Sequence, residues 1–347
     1  MAIGTRRALV ILVIMFGAPS SRASEDARWT FFPILTYSPE TSFGAGAGAI
    51  HGFALDGAPT PPSSFAVDLM ATLEAQLVLR ARLELEGEAW LARTALRAQR
   101  FPTRFFPEGA HASDGGEPLD EITLDLELEG RWRATRALSF GGRCALWWDD
   151  VLEVEDGGLL DTRRPLGLGA WLAAGCGPAL ALDTRDDTRS TRCGALVEVS
   201  SVAWTGVSGI DFEALETRVD VRAFGSLGSH VFGAQLLVEA TLGDEPFQLV
   251  PRLGGASRLR GWYDGHLRGR HAALAQVEWR APLVWKLRSA VFAAVGEAAD
   301  DWSIDRLRFG VGAGVRLDLD PRAGAILRLD VAWGSGLGVY FEIGEAF

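Results

Sequence analysis

Lysine is almost missing from this 347-residue chain: Lys286 is the only one, and arginine carries nearly all the positive charge. Guanidinium forks suit carboxylate networks in confined spaces better than ammonium groups do. Cysteine is nearly as scarce, with Cys144, Cys176 and Cys193. An odd number excludes a fully paired disulfide framework, and these spacings fit no zinc motif. One incidental disulfide is compatible with the sequence; the simpler reading is small side chains buried in strands. The chain is 48% hydrophobic, yet beyond its first residues it lacks any run of 18 consecutive apolar residues, which excludes helical membrane spans. Positive charge is also short: the formal net charge of −11 argues against a nucleic-acid partner, which calls for a basic face.

Catalytic signatures are missing too. His51, His111, His230, His266 and His271 form neither an HExxH helix nor a nucleophile-elbow context. Ser229 and His230 adjoin, which on a strand puts their side chains on opposite faces. Asp183, Asp186 and Asp187 are interrupted by Arg185 and lack calcium-loop spacing, so they read as a polar turn. Gly44, Gly46 and Gly48 make a GxGxG run in which period two continues through Phe53, unlike a dinucleotide loop. The expectation is a protein without catalysis, metal or cofactor.

What the sequence does contain starts with an export leader. Arg6 and Arg7 precede an apolar stretch, Ala8 to Phe16, and the small-x-small site Ser21-Arg22-Ala23. This pattern reads as a cleavable signal peptide over 1–23, with 24–347 as the mature domain. The apolar stretch is too short to cross ~30 Å of hydrocarbon.

From Thr41 onward the dominant period is two. Over 307–319, Leu307, Phe309, Val311, Ala313 and Val315 share one face, against Arg308, Gly310, Gly312, Gly314, Arg316 and Asp318. Over 122–132, Ile122, Leu124, Leu126, Leu128 and Trp132 oppose Asp125, Glu127, Glu129 and Arg131. A soluble sandwich also alternates. Polar faces dense in both charge signs, however, suit a wet lumen, and apolar faces ending in Trp90, Trp132, Trp204, Trp279 and Trp333 suit a lipid interface. About fifteen strand-like runs follow Thr41, and Trp29–Tyr37 supplies another if Pro33 is tolerated. The fold expected is all-β: a transmembrane antiparallel β-barrel of about 16 strands, with 14 as the alternative. With the C-terminus in the periplasm, 102–118, 150–166, 243–268 and 298–306 become extracellular loops. At the end, Val339, Phe341 and Ile343 alternate outward and lead to Phe347, a series read as the assembly signal recognised during barrel biogenesis.

The segment 251–282 is the most informative. Its loop contains Leu259-Arg260-Gly261-Trp262, a hydrophobic-Arg-Gly-aromatic tetrad. Asp183-Thr184-Arg185-Asp186, Val277-Glu278-Trp279-Arg280-Ala281-Pro282, Arg328-Leu329-Asp330 and the ending Gly344-Glu345-Ala346-Phe347 follow in order around it. Together they resemble the bacterial surface antigen superfamily, whose members include the BamA-type outer-membrane assembly factor and two-partner secretion transporters. The resemblance implies an extracellular loop folded back into the lumen, with Arg260 latched to an inward carboxylate. Parity puts Glu278 on the inner face, with Asp330 as the substitute partner. Where the family carries another acid, this chain reads Phe292-Ala293-Ala294-Val295-Gly296. Gly310, Gly312 and Gly314 on one inner face leave a groove for the loop's backbone.

Such a likeness implies assembly or translocation of protein or lipid at the outer membrane. The partners it implies are outer-membrane lipids, the barrel assembly machinery during biogenesis and, since Ser24 to Glu40 holds no periplasmic polypeptide-transport-associated domain, a separate periplasmic partner. The other classes open to the sequence are a passive or structural porin-like barrel and, more remotely, a barrel hydrolase.

Overall fold

In a β-strand successive side chains point to opposite faces, so a period-two chain can wrap apolar residues outside and charges inside only by closing on itself. The structure, a computed structural model, describes residues 27–38, 40–53, 55, 63–108, 115–188, 190–301, 306–320 and 325–347. The leader expected over 1–23 lies outside the described residues.

Sixteen long strands form the wall. They are β1 (Ala27–Ser38), β2 (Ser42–Phe53), β3 (Ser63–Thr72), β4 (Leu77–Glu86), β5 (Trp90–Arg100), β6 (Glu117–Arg133), β7 (Leu138–Val154) and β8 (Ala170–Asp183). The second half holds β9 (Gly194–Ser208), β10 (Glu213–Leu227), β11 (His230–Gly243), β12 (His271–Pro282), β13 (Leu287–Ala299), β14 (Arg308–Asp320), β15 (Ala325–Trp333) and β16 (Leu337–Ile343). Each pairs antiparallel with the next in chain order. β1 runs beside β16, but among the described residues no ladder register joins them. The barrel is therefore nearly closed, with one weak seam. Pro33 sits in β1 opposite Ala47; a strand with only one laddered edge tolerates a residue without an N–H.

The two faces separate as the alternation requires. Leu128, Leu236, Val277, Phe309, Val331 and Trp333 are exposed on the outside. Inside, ion pairs step around the wall: Arg80–Asp68 at 2.8 Å, Arg97–Asp125 at 2.6 Å, Arg143–Glu127 at 2.7 Å and Arg131–Glu198 at 3.0 Å.

Three details differ from the sequence reading. Trp204 is not on the outer face. It lies buried with Trp171, Val202 and Phe212, and its indole N–H donates to Glu216 at 3.0 Å. Cys144 and Cys176 are not separate buried thiols: facing each other across β7 and β8, they form a disulfide, leaving Cys193 free. And the outward series at the C-terminus stops early. β16 ends at Ile343, whose side chain lies outside the described residues; Gly344 (φ 95°) turns the chain, and Phe347 packs against Phe224 inside the wall. Phe341 precedes this turn, on the face opposite Tyr340 and Glu342.

Candidate functional site

Between β11 and β12 the chain leaves the wall and returns into the lumen. A two-residue ribbon, Arg252–Leu253 against Leu267–Arg268, closes the base of the loop. Its apolar side chains Leu253, Leu259, Trp262 and Leu267 pack on the inner wall residues Leu237, Leu274, Ala294 and Ala298. Burial of this kind stabilises by roughly 25 cal/mol per Å² of apolar surface removed from water, so the loop is packed as a core rather than left as a solvated strap. Leu259 has a φ of 56°, a backbone conformation that costs a non-glycine residue energy. Its complete burial is what holds it there.

Arg260 follows at the loop tip, 1% exposed. Its guanidinium donates to Asp330 Oδ2 at 2.6 Å and to Glu278 Oε2 at 2.9 Å. Its Cζ lies 3.3 Å from the centre of the Phe292 ring, a cation–π contact whose attraction is stronger in a desolvated site. A buried guanidinium is tolerable only when its charge is answered in this way; both terminal nitrogens are bonded, while Nε is buried without a hydrogen-bond partner. Each carboxylate is shared again. Arg316 bridges Asp330 at 2.5 Å and Glu278 at 3.3 Å and also reaches Glu345 at 2.9 Å. Arg280 holds Glu278 at 2.8 Å. Arg328 donates to the loop's Ala256 carbonyl at 3.0 Å.

The residues singled out from the sequence thus meet at one place: Leu259, Arg260, Gly261 and Trp262 on the loop, Glu278 on β12, Asp330 on β15. Arg260 takes both carboxylates at once rather than one in place of the other. The three glycines of β14 divide the work differently from the expectation. A Cβ on Gly310 would collide with the Arg260 carbonyl, so that position does admit the loop. Gly312 makes room for the Phe292 ring, and Gly314 for the Asp330 carboxylate.

Sequence reasoning placed Arg316 on the inner face and noted Phe292 without giving either a part in the latch, and it missed Tyr340. The Gly261 N–H donates to the Tyr340 hydroxyl at 3.0 Å, and the Trp262 indole N–H donates to the Phe309 carbonyl at 2.9 Å. Tyr340 shares parity with Glu342 on β16, the signal that could have placed it inside. Gly261 has φ 99° and lies against Trp333 and Gly334, so only glycine fits both the angle and the approach.

The loop also reaches the other side of the seam. The Asp264 N–H donates to Glu40 Oε1 at 2.8 Å, and Glu40 lies in the turn between β1 and β2, where Gln76 donates to its carbonyl at 2.8 Å. Tyr340 on the last strand and Glu40 beside the first strand are therefore joined through Gly261 to Asp264.

Residues 121–347 match the family model described as the Omp85 superfamily domain. Among solved structures, the chain is similar to BamA from Haemophilus ducreyi lacking POTRA domains 1-3. Identity is 11%, TM-score 0.60, and coverage 92% of this chain and 70% of that one. It is also similar to CdiB from Acinetobacter baumannii, with 12% identity, TM-score 0.59, and coverage of 93% and 60%. The chain thus spans less than two thirds of the CdiB chain. No curated protein matches it by sequence.

Proposed function

We propose that this chain, which belongs to the Omp85 superfamily, is an outer-membrane barrel that assembles or translocates protein or lipid. The observation that carries this reading is the seam. β1 and β16 run side by side with no ladder register between them among the described residues, and a buried loop anchored on both sides bridges that join. A wall with one weak join can part there while fifteen laddered joins hold it closed elsewhere. Its apolar outer face would meet outer-membrane lipids, its biogenesis would use the host's barrel assembly machinery, and a separate periplasmic partner would meet the end carrying the chain termini. Arg260, Glu278 and Asp330 act in this reading as the latch that keeps the loop in place.

The test is to tie the seam shut with a reducible cysteine pair between β1 and β16, in a background lacking Cys193, in a host dependent on the gene. We expect the tied barrel to fail to restore the outer-membrane protein and lipid profile until reductant is added. Full function of the tied barrel would overturn the reading and leave a passive pore, whose conductance does not need the seam to open.

A further inference from the structure

The loop fills only part of the lumen. Between its segment 248–258 and the wall from β5 to β11 lies a cavity of about 170 Å³. One side is apolar, formed by Ala145, Trp147, Val202, Trp204 and Leu249. A cavity of about 150 Å³ is enough to admit a benzene ring. The other side is lined by five arginines and by the carboxylates Asp125, Glu127, Glu216 and Glu239, and nearly all the arginines are already engaged. Arg97 is paired with Asp125, Arg143 with Glu127, and Arg258 with Glu239 at 2.9 Å; Arg218 reaches Asp220 at 3.3 Å.

Arg252 is the exception. It lines the cavity, and among the described residues no carboxylate lies within ion-pair distance of it. Its cross-strand neighbour in the loop ribbon is Arg268, another cation without an ion pair among the described residues. Burial first, and then the Arg252 charge, pull Arg268 down to about 10, against the charges of Glu121 and Asp264, which lie beyond ion-pair distance and offset this only in part. Like charges facing each other across a strand pair are unfavourable, and an anion between them and the cavity would relieve that. One further donor on a residue lining the cavity, Arg218 Nε, is buried without a partner.

We infer that this cavity binds a small anion with an apolar body, its charged head on Arg252 and its body against Trp147 and Trp204. Benzoate is the simplest member of the class. Binding of this kind needs neither an open seam nor a released loop.

The probe is 4-fluorobenzoate, followed by fluorine line broadening on the full barrel in nanodiscs, with 4-fluorobenzylamine as the cationic counterpart and empty nanodiscs subtracted. We expect saturable broadening of the carboxylate alone. Arg252→Gln should weaken it by at least about tenfold, the loss of a hydrogen bond to a charged group, and Arg252→Lys should restore most of it. Because Arg252 makes no ion pair among the described residues, both variants are expected to remain folded, checked by their heat-modifiable gel migration. Absence of carboxylate binding, equal broadening by the amine, or undiminished binding to folded Arg252→Gln would each overturn the inference. Should Arg252→Gln not fold, Val202→Phe, which fills the apolar side, takes its place, with undiminished binding again overturning it.

Discussion

Arg260 divides its guanidinium between carboxylates on two different strands, and each of those is shared with further arginines. Breaking a buried pair from one side usually costs ~3–5 kcal/mol, because the surviving charge is stranded. Here the survivors keep company: Arg280 and Arg316 remain on Glu278, and Arg316 and Arg328 on Asp330. Arg260→Ala should therefore cost less than that range, with a coupling energy to Glu278 and to Asp330 of ~0.5–3 kcal/mol in double-mutant cycles of barrel unfolding. Arg260→Lys should recover only part, since an ammonium cannot fork between two strands. Zero coupling to both carboxylates would make the network incidental. Glu40 works by the opposite logic. Burial first, then the neighbouring Asp264 charge, raise its carboxyl to about 7, against hydrogen bonds from Ser38 and the Asp264 backbone; Tyr263 and Tyr340 also face it. A carboxyl whose folded pKa is raised adds stability fully below its unfolded value, and that stability fades as pH rises through about 7. The loop should thus be cut by protease faster at about pH 8 than at about pH 6, and Glu40→Gln should abolish the difference. Equal cutting of the native protein at both pH values would remove Glu40 from the clasp.

At the scale of elements, the loop and β14 are fitted to each other at one backbone position. Any side chain at Gly310 would collide with the Arg260 carbonyl, so Gly310→Val should expel the loop tip while leaving the β13–β14–β15 ladders intact. Its signature is protease cleavage within 251–268 of a barrel that still migrates as folded; resistance equal to wild type would show that the loop does not need the groove. This fit was only partly legible in the sequence. Parity placed Gly310, Glu278 and Asp330 on inner faces because charged neighbours two residues away mark the lumen on those strands. It could not say which glycine faces the loop and which faces Phe292 or Asp330, since that depends on how far the loop penetrates. β9 shows how the same reasoning misleads. Both its faces are mostly apolar or small, so Trp204 reads as a lipid-facing end. Yet Glu198, six residues earlier on the same face, is paired with Arg131 in the lumen, and that parity was available.

For the whole molecule, about sixteen strands were legible because alternation survives in most wall segments and short turns separate the rest. The uncertain one was β1, whose Pro33 argues against a strand until it is seen to stand at the seam. A seam between the first strands and the glycine-rich last strand was legible from chain order and from Gly44, Gly46 and Gly48 against Gly336 and Gly338. That no ladder register joins β1 to β16 among the described residues was not, because no local pattern encodes it. Neither was the burial of Phe347, which follows from a turn at Gly344 after an otherwise regular outward series. What ties these features together is a barrel held closed at one place by a loop. Amide hydrogen exchange of the native barrel and of Arg260→Ala in nanodiscs tests this most directly, since protection reports local opening. The native protein should show slow exchange throughout 251–268 and fast exchange at the facing edges of β1 and β16. In Arg260→Ala the loop should lose protection while the other fifteen joins keep theirs. Free exchange of the loop in the native barrel, or loop protection unchanged by the substitution, would contradict the account.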